Sequence, residues 1–262
     1  KYLYKSALFN IYQNKIDDAV DILKKIRRES DPASELNNEI RKTLARLLYE
    51  KGEYEASDVL YSEIEKSIRL QSRNFLERAW AHYRMENPEK AMGLLYAFEA
   101  PSFQNYFTPE YYMLKSFIYK DVCHYKRAMT VVYDFRERYG DSLVNIYRRG
   151  APEDNNALML VILNRTNINH TWNFLELLNE ERLHTVEISD ERLKQHIEKI
   201  YDLQIKKSKA QLRLQIDEEY EKIANELLQY EENAHLMEYE IGLDMYQRVY
   251  QYHYDEEEET SK

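Results

Sequence analysis

The residue types that could do chemistry are few and scattered. Seven histidines stand at positions 82, 124, 170, 184, 196, 235 and 253. Cys123 beside His124 would suggest a thiolate–imidazole nucleophile. Adjacent residues on a turn point apart, however, and no third group stands ready to orient the imidazole. Glu180-Glu181 and Glu231-Glu232 are paired carboxylates of the kind that share acid–base work. They fall on exposed faces of helical stretches, so both read as solvated. Five glycines build neither a G-x-G-x-x-G turn nor a phosphate loop, and there is no H-E-x-x-H and no cysteine-based metal spacing. Asn164-Arg165-Thr166 and Asn169-His170-Thr171 match the glycosylation pattern, which is short enough to recur by chance. The expectation is a non-enzymatic chain with no catalytic, cofactor or metal residues.

Composition narrows the class further. The hydrophobic fraction of 44% supports a real core, while five glycines, five prolines and 32% charged residues favour an all-helical chain. Its 24 tyrosines suit helix seams and half-wet contact surfaces, because the ring is apolar and the hydroxyl polar. The net charge of -10 argues against a nucleic-acid partner, which needs clustered Lys and Arg. The local cluster Lys206, Lys207, Lys209 and Arg213 reads as a solvated helix face, and the run Asp255 to Glu259 as a solvated, disordered tail. A lone cysteine excludes an internal disulfide, reads as a small packing residue at a bend, and leaves the redox compartment open. No stretch approaches the ~18 apolar residues of a membrane span; the longest apolar run is Ala157 to Leu163. The start at Lys1 reads as that of an excised segment.

The elements that position these residues repeat. Ala19, Ser57, Ala91 and Ala128 open the second helix of successive helix pairs, 38, 34 and 37 residues apart. About twelve residues earlier, in the first helices, stand Ala7, Ala45, Ala79 and Ser116. Two helices joined by a short turn cross closely only where both carry a small side chain. In the second pair Leu44-Ala45, Gly52, Tyr54 and Tyr61 run in the order large, small, turn glycine, aromatic, aromatic. In the fourth, Tyr119, Tyr125, Ala128 and Phe135 do the same. The third keeps Ala79, Trp80, Tyr83 and Ala91 but has Asn87-Pro88 for the turn glycine. The first keeps Ala7, Ala19 and Leu23, with Asn14-Lys15-Ile16 at the turn. On these residues the chain, over roughly 1–140, resembles the tetratricopeptide repeat family. The stretch from Phe103 through FTPEYYMLKSFIYKDVCHYKRAM is also similar to periplasmic tetratricopeptide proteins of bacterial gliding-motility envelope machinery. That resemblance implies a periplasmic protein, with the cytoplasm as the alternative.

The expected fold class is therefore all-α: a tetratricopeptide-like solenoid over 1–140, of four helix pairs with two degenerate, then atypical capping helices over 141–188. A long, coiled-coil-like helix or helix pair follows over 189–254, and an acidic tail over 255–262. Thr108 and Pro109 start a helix, Asp31-Pro32 and Pro101 separate pairs, and Gly140, Gly150 and Pro152 mark a boundary around a short helix from Ser142 to Arg149. Two helices follow, from Ala157 to Asn164 and Trp172 to Leu183, with Trp172, Phe174 and Leu178 in the seam. Ser189 caps the long segment, which would span ~100 Å if unbroken. Tyr220, Ile223, Leu227, Tyr230, Ala234, Met237 and Ile241 form a heptad seam. That seam packs either within the chain or against a second copy. Its slip predicts a bend, a break or a change of partner near Lys206 to Arg213, and a fragment ending at Leu183 is expected to fold.

The resemblance implies partners that are other proteins, held on a concave surface. First-helix residues Arg41, Tyr49, Arg78, His82, Tyr111 and Lys115 are the candidates for contacting them. Some family members clamp a partner's C-terminal carboxylate with Lys, Asn and Arg; the matching positions of the first three pairs lack that set.

Overall fold

Small residues and left-handed turns set the helix pairs. The computed structural model describes residues 2–64, 68–103, 106–187 and 189–260, with side chains except at 68–72, 102 and 249–260. Among these residues there are eleven α-helices and no strand: α1 (Tyr2–Tyr12), α2 (Ile16–Glu29), α3 (Glu35–Glu50), α4 (Tyr54–Ser62), α5 (Ile68–Arg84), α6 (Pro88–Leu95), α7 (Pro109–Asp121), α8 (Tyr125–Tyr147), α9 (Asn156–Leu163), α10 (Thr166–Leu183) and α11 (Glu191–Thr260). The chain divides into two compact units. One comprises Lys1–Gln104 with Phe117–His124, the other Asn105–Ser116 with Tyr125–Lys262.

In the first unit α1 packs on α2, α3 on α4 and α5 on α6, and the pairs stack through α2 on α3 and α4 on α5. All eight small residues of the repeat pattern are 0% exposed. Two of them also tie their own crossings. In the first unit the Ser57 hydroxyl donates to the Ala45 carbonyl at 2.7 Å. In the second the Ser116 hydroxyl donates to the Ala128 carbonyl at 3.1 Å. A hydroxyl standing where alanine stands elsewhere thus keeps both its size and a hydrogen bond.

The turns repeat as strictly as the crossings. Asn14, Gly52, Glu86 and Cys123 all have positive φ, between 55° and 81°, and each lies five residues before its buried small residue. At each, that residue's N–H bonds the carbonyl three back, and the next N–H bonds the carbonyl five back. This double bond pattern ends a helix by satisfying its last carbonyls. The third pair corrects the sequence reading: Glu86 takes the left-handed position, while Asn87 caps α6 by accepting from Lys90 N at 3.2 Å and Pro88 opens the helix. Cys123 is likewise exposed at the turn rather than packed. A side chain in the left-handed region costs ~1–2 kcal/mol, and glycine offsets part of that by its freedom when unfolded. Glu86→Gly and Cys123→Gly are therefore each expected to raise the unfolding free energy by ~0.5–1 kcal/mol in urea titrations.

The second unit is built on α8 and α11. Gly140 does not interrupt α8, because Tyr139, Ser142 and Leu143 are buried on either side of it and anchor one continuous helix to Tyr147. The expected short helix from Ser142 is therefore the end of α8. Tyr139 donates no proton readily: burial pushes its hydroxyl up to about 12, and the hydroxyl accepts from Thr108 N at 3.1 Å. Asn155 caps α9, accepts from the Ser142 hydroxyl at 3.0 Å and donates to the Ser142 carbonyl at 3.2 Å. On α10 the buried positions are Ile168, Leu175 and Leu178; Trp172 and Phe174 are exposed, contrary to the sequence expectation for those two.

α11 is a single helix of 70 residues, ~105 Å long by its rise. Asp190 rather than Ser189 caps it, accepting from Arg192 N and Leu193 N at 2.9 and 3.1 Å. The slip near Lys206 to Arg213 is a change of partner. Before it, Tyr201 donates to Glu181 and Asp202 pairs with Arg182 on α10. After it, Glu238 pairs with Arg136 on α8 and Arg248 lies over the Tyr125 ring. Ile223, Leu227, Ala234, Met237 and Ile241 of the heptad seam are buried within the chain. The backbone of 255–259 continues α11, while the side chains of this acidic run lie outside the described residues.

Candidate protein-binding clefts

Two clefts in the first unit are lined by charge. The first holds about 230 Å³ among α3, α4 and α5, lined by Glu39, Lys42, Arg46, Tyr61, Ile64, Arg73, Asn74 and Glu77. Arg46 bonds Glu77 at 2.8 Å, Arg73 bonds the same carboxylate at 3.0 Å, and Lys42 pairs with Glu39. Burial works against the Arg46 charge, and Glu77 more than restores it, so the guanidinium sits above its ordinary pKa. Burial, then Glu77, pushes the Tyr61 hydroxyl well above its ordinary value. Tyr61 thus stays neutral in the cleft, with its hydroxyl engaged by Glu77 and Arg46. Asn74 Oδ1 is buried there without a hydrogen-bond partner among the described residues.

The second cleft, of about 600 Å³, lies at the corner where α2 passes into α3. Ser34 caps α3 by accepting from Asn37 N at 3.2 Å. The Asn37 amide then reaches back to the end of α2, donating to Ser30 Oγ at 2.9 Å and to the Arg27 carbonyl at 3.3 Å. Lys24, Arg27, Arg28 and Arg41 surround this knot.

The six residues singled out in the sequence fall at several places. Arg41 lines the second cleft, donates to the Pro32 and Glu63 carbonyls at 3.1 Å and pairs with Glu63 at 3.5 Å. Arg78 and His82 converge on Asp58 of α4, at 2.6 and 3.3 Å. They join α5 to α4 rather than facing an open groove. Tyr49 packs edge-on against Tyr54 and accepts from Arg84 Nε at 3.4 Å. In the second unit Lys115 donates to the Tyr111 hydroxyl at 2.8 Å and lies over the Tyr111 ring.

His82 is 7% exposed. Burial lowers its pKa; Asp58 opposes this, and Lys90 and Arg78 add to it. Protons therefore bind the unfolded imidazole more readily than the folded one. Its contribution to stability is complete above the unfolded pKa of ~6.5 and is lost as pH falls below it. Urea midpoints measured at pH 7.5 and 5.5 should separate more for the native chain than for His82→Gln.

Sequence reasoning passed over Lys24, Arg27 and Arg28. The signal was the basic run 24–28 in a chain of net charge -10. It also passed over Arg46, Arg73 and Glu77, whose i, i+4 spacing on α5 foretells the Arg73–Glu77 pair. Among the described residues no group of three or more His, Cys, Asp or Glu is placed to hold a metal ion. No described helix is long and apolar enough to cross a membrane. No protein-family model and no curated protein matches the chain.

Proposed function

We infer that the chain is a non-enzymatic scaffold that holds other proteins on its tandem helix pairs. The observation that carries this reading is the cleft among α3, α4 and α5. It is lined by charges of both signs and holds a buried acceptor, Asn74 Oδ1, that no described residue serves. Such a surface offers paired donors and acceptors to a peptide backbone and pins a polypeptide by complementarity of charge. The resemblance to tetratricopeptide repeats supports the same reading, and the likeness of the Phe103 stretch to gliding-motility proteins supports a place in a bacterial envelope complex in the periplasm. Selection from a random peptide library on the immobilised chain tests it. Enriched peptides should bind the native chain and lose affinity with Arg73→Glu and Glu39→Lys, both on solvent-facing side chains of the cleft. Enrichment of no sequence, or equal binding to both variants, would count against the cleft.

A second reading is a homo-oligomeric spacer. It is favoured by Leu236, Tyr239, Leu243 and Tyr246, which keep a heptad spacing on α11 and are exposed. This stripe is distinct from the buried seam that the sequence pointed to.

A further inference from the structure

The α2–α3 corner carries more positive charge than the described residues neutralise. Lys24, Arg27, Arg28 and Arg41 line one cavity with Ser30, Pro32 and Asn37. Glu63 meets two of the four, pairing with Arg27 at 2.5 Å and with Arg41 at 3.5 Å. Among the described residues Lys24 and Arg28 meet no carboxylate. Arg27 and Arg28 stand in the last turn of α2, where cations suit the helix dipole. That explains neither Lys24, a turn earlier, nor Arg41, which comes from α3. The Arg27 carbonyl in that turn and the carbonyl of the capping Ser30 are moreover already served by the Asn37 amide.

A second observation points to a ligand. Asn37 lines the cavity, is 1% exposed, and its Oδ1 accepts no hydrogen bond among the described residues. A buried acceptor left unmade costs ~1–3 kcal/mol. The site therefore offers positive charge at its rim and an unfilled acceptor within.

We propose that this cavity binds an acidic peptide segment of a partner protein. Carboxylates of the segment pair with Lys24 and Arg28, where arginine can engage both oxygens of one carboxylate. A backbone N–H of the same segment donates to Asn37 Oδ1. A bare phosphate group would answer the cations but brings no amide N–H. A nucleic acid would bring its phosphates against a chain of net charge -10. A volume of about 600 Å³ matches a cleft for a short ligand segment rather than a flat lipid surface. The site adds a second surface to the scaffold reading and rests on it only in taking its ligand to be a protein.

Fluorescein-labelled hexaglutamate titrated against the full chain, read by anisotropy, tests the proposal. Binding should weaken at least ~10-fold in the double variant Lys24→Glu with Arg28→Glu, two exposed positions whose change leaves the helical circular dichroism intact. Arg73→Glu, in the other cleft, should change it less than ~2-fold, so that failure here and failure of the α3–α5 cleft are read separately. Citrate, with three carboxylates and no peptide N–H, should compete at least ~10-fold less well than unlabelled hexaglutamate. Equal binding of hexaglutamine, unchanged affinity in the double variant, or better competition by inorganic phosphate, by citrate or by phosphatidylserine vesicles would each overturn it.

Discussion

Ala45→Trp and Ala128→Trp should each lower the unfolding free energy by ~1–3 kcal/mol or more. Both alanines are fully buried at the crossing of a helix pair. At each crossing the backbone of one helix lies within hydrogen-bond reach of a serine on the other, at 2.7 Å for Ser57 and Ala45 and 3.1 Å for Ser116 and Ala128. An indole has no room between helices held that close. Either the helices separate, which breaks the serine bond and opens the neighbouring core, or the ring is forced off its rotamers. The two sites lie in different units, so each reports on its own crossing. Urea unfolding followed by circular dichroism checks both, with Ala33→Trp in the exposed turn before α3 as the control. Native-like midpoints in the two crossing variants would show that the small residues do not set the pairing.

Leu227→Asp should be more damaging still. Leu227 is fully buried in the α11 seam, among Ile223, Ala224 and Ala234, which are buried with it. Removing the leucine side chain alone costs ~2–5 kcal/mol, and a carboxylate left there must be desolvated or protonated as well. The expected loss is more than ~4 kcal/mol, enough to unfold the second unit under mild conditions. Leu214→Asp, at an exposed position of the same helix, should stay within ~0.5 kcal/mol of the native chain. Near-ultraviolet circular dichroism and protease susceptibility distinguish the two. Equal stability would mean that α11 does not contribute to the core. The same packing predicts that a fragment ending at Leu183 loses the partner of α8, α9 and α10, contrary to the sequence expectation that it folds.

The helix pairs were legible because their determinants are local. A small residue at each crossing, a turn some five residues before it, and a proline or capping residue at each entry are all visible in one stretch of chain. The left-handed turns at Glu86 and Cys123 were not legible, because the sequence marks such a position only where glycine or asparagine stands there, as at Gly52 and Asn14. Gly140 misled for the converse reason: glycine weakens a helix locally, but burial of Tyr139 and Leu143 decides the matter through tertiary packing. Trp172 and Phe174 misled because apolar character does not say which face of α10 meets a neighbour. The candidate clefts were the least legible part. Arg41, Arg78 and His82 have the residue types of a binding surface, yet their partners Glu63 and Asp58 lie far enough along the chain that no spacing rule connects them. The basic corner is built from two helices and the turn between them, and only folding brings Arg41 to Lys24 and Arg28.

Light-scattering mass coupled to size exclusion, on the full chain at two concentrations tenfold apart, separates a scaffold with open clefts from an assembly element most directly. With the heptad seam filled by α8 of the same chain, the expected result is a mass near 31.8 kDa at both concentrations. A mass that doubles at the higher concentration, and that Leu236→Glu with Leu243→Glu returns to a monomer, would contradict the scaffold reading and make α11 the element through which copies of the chain assemble.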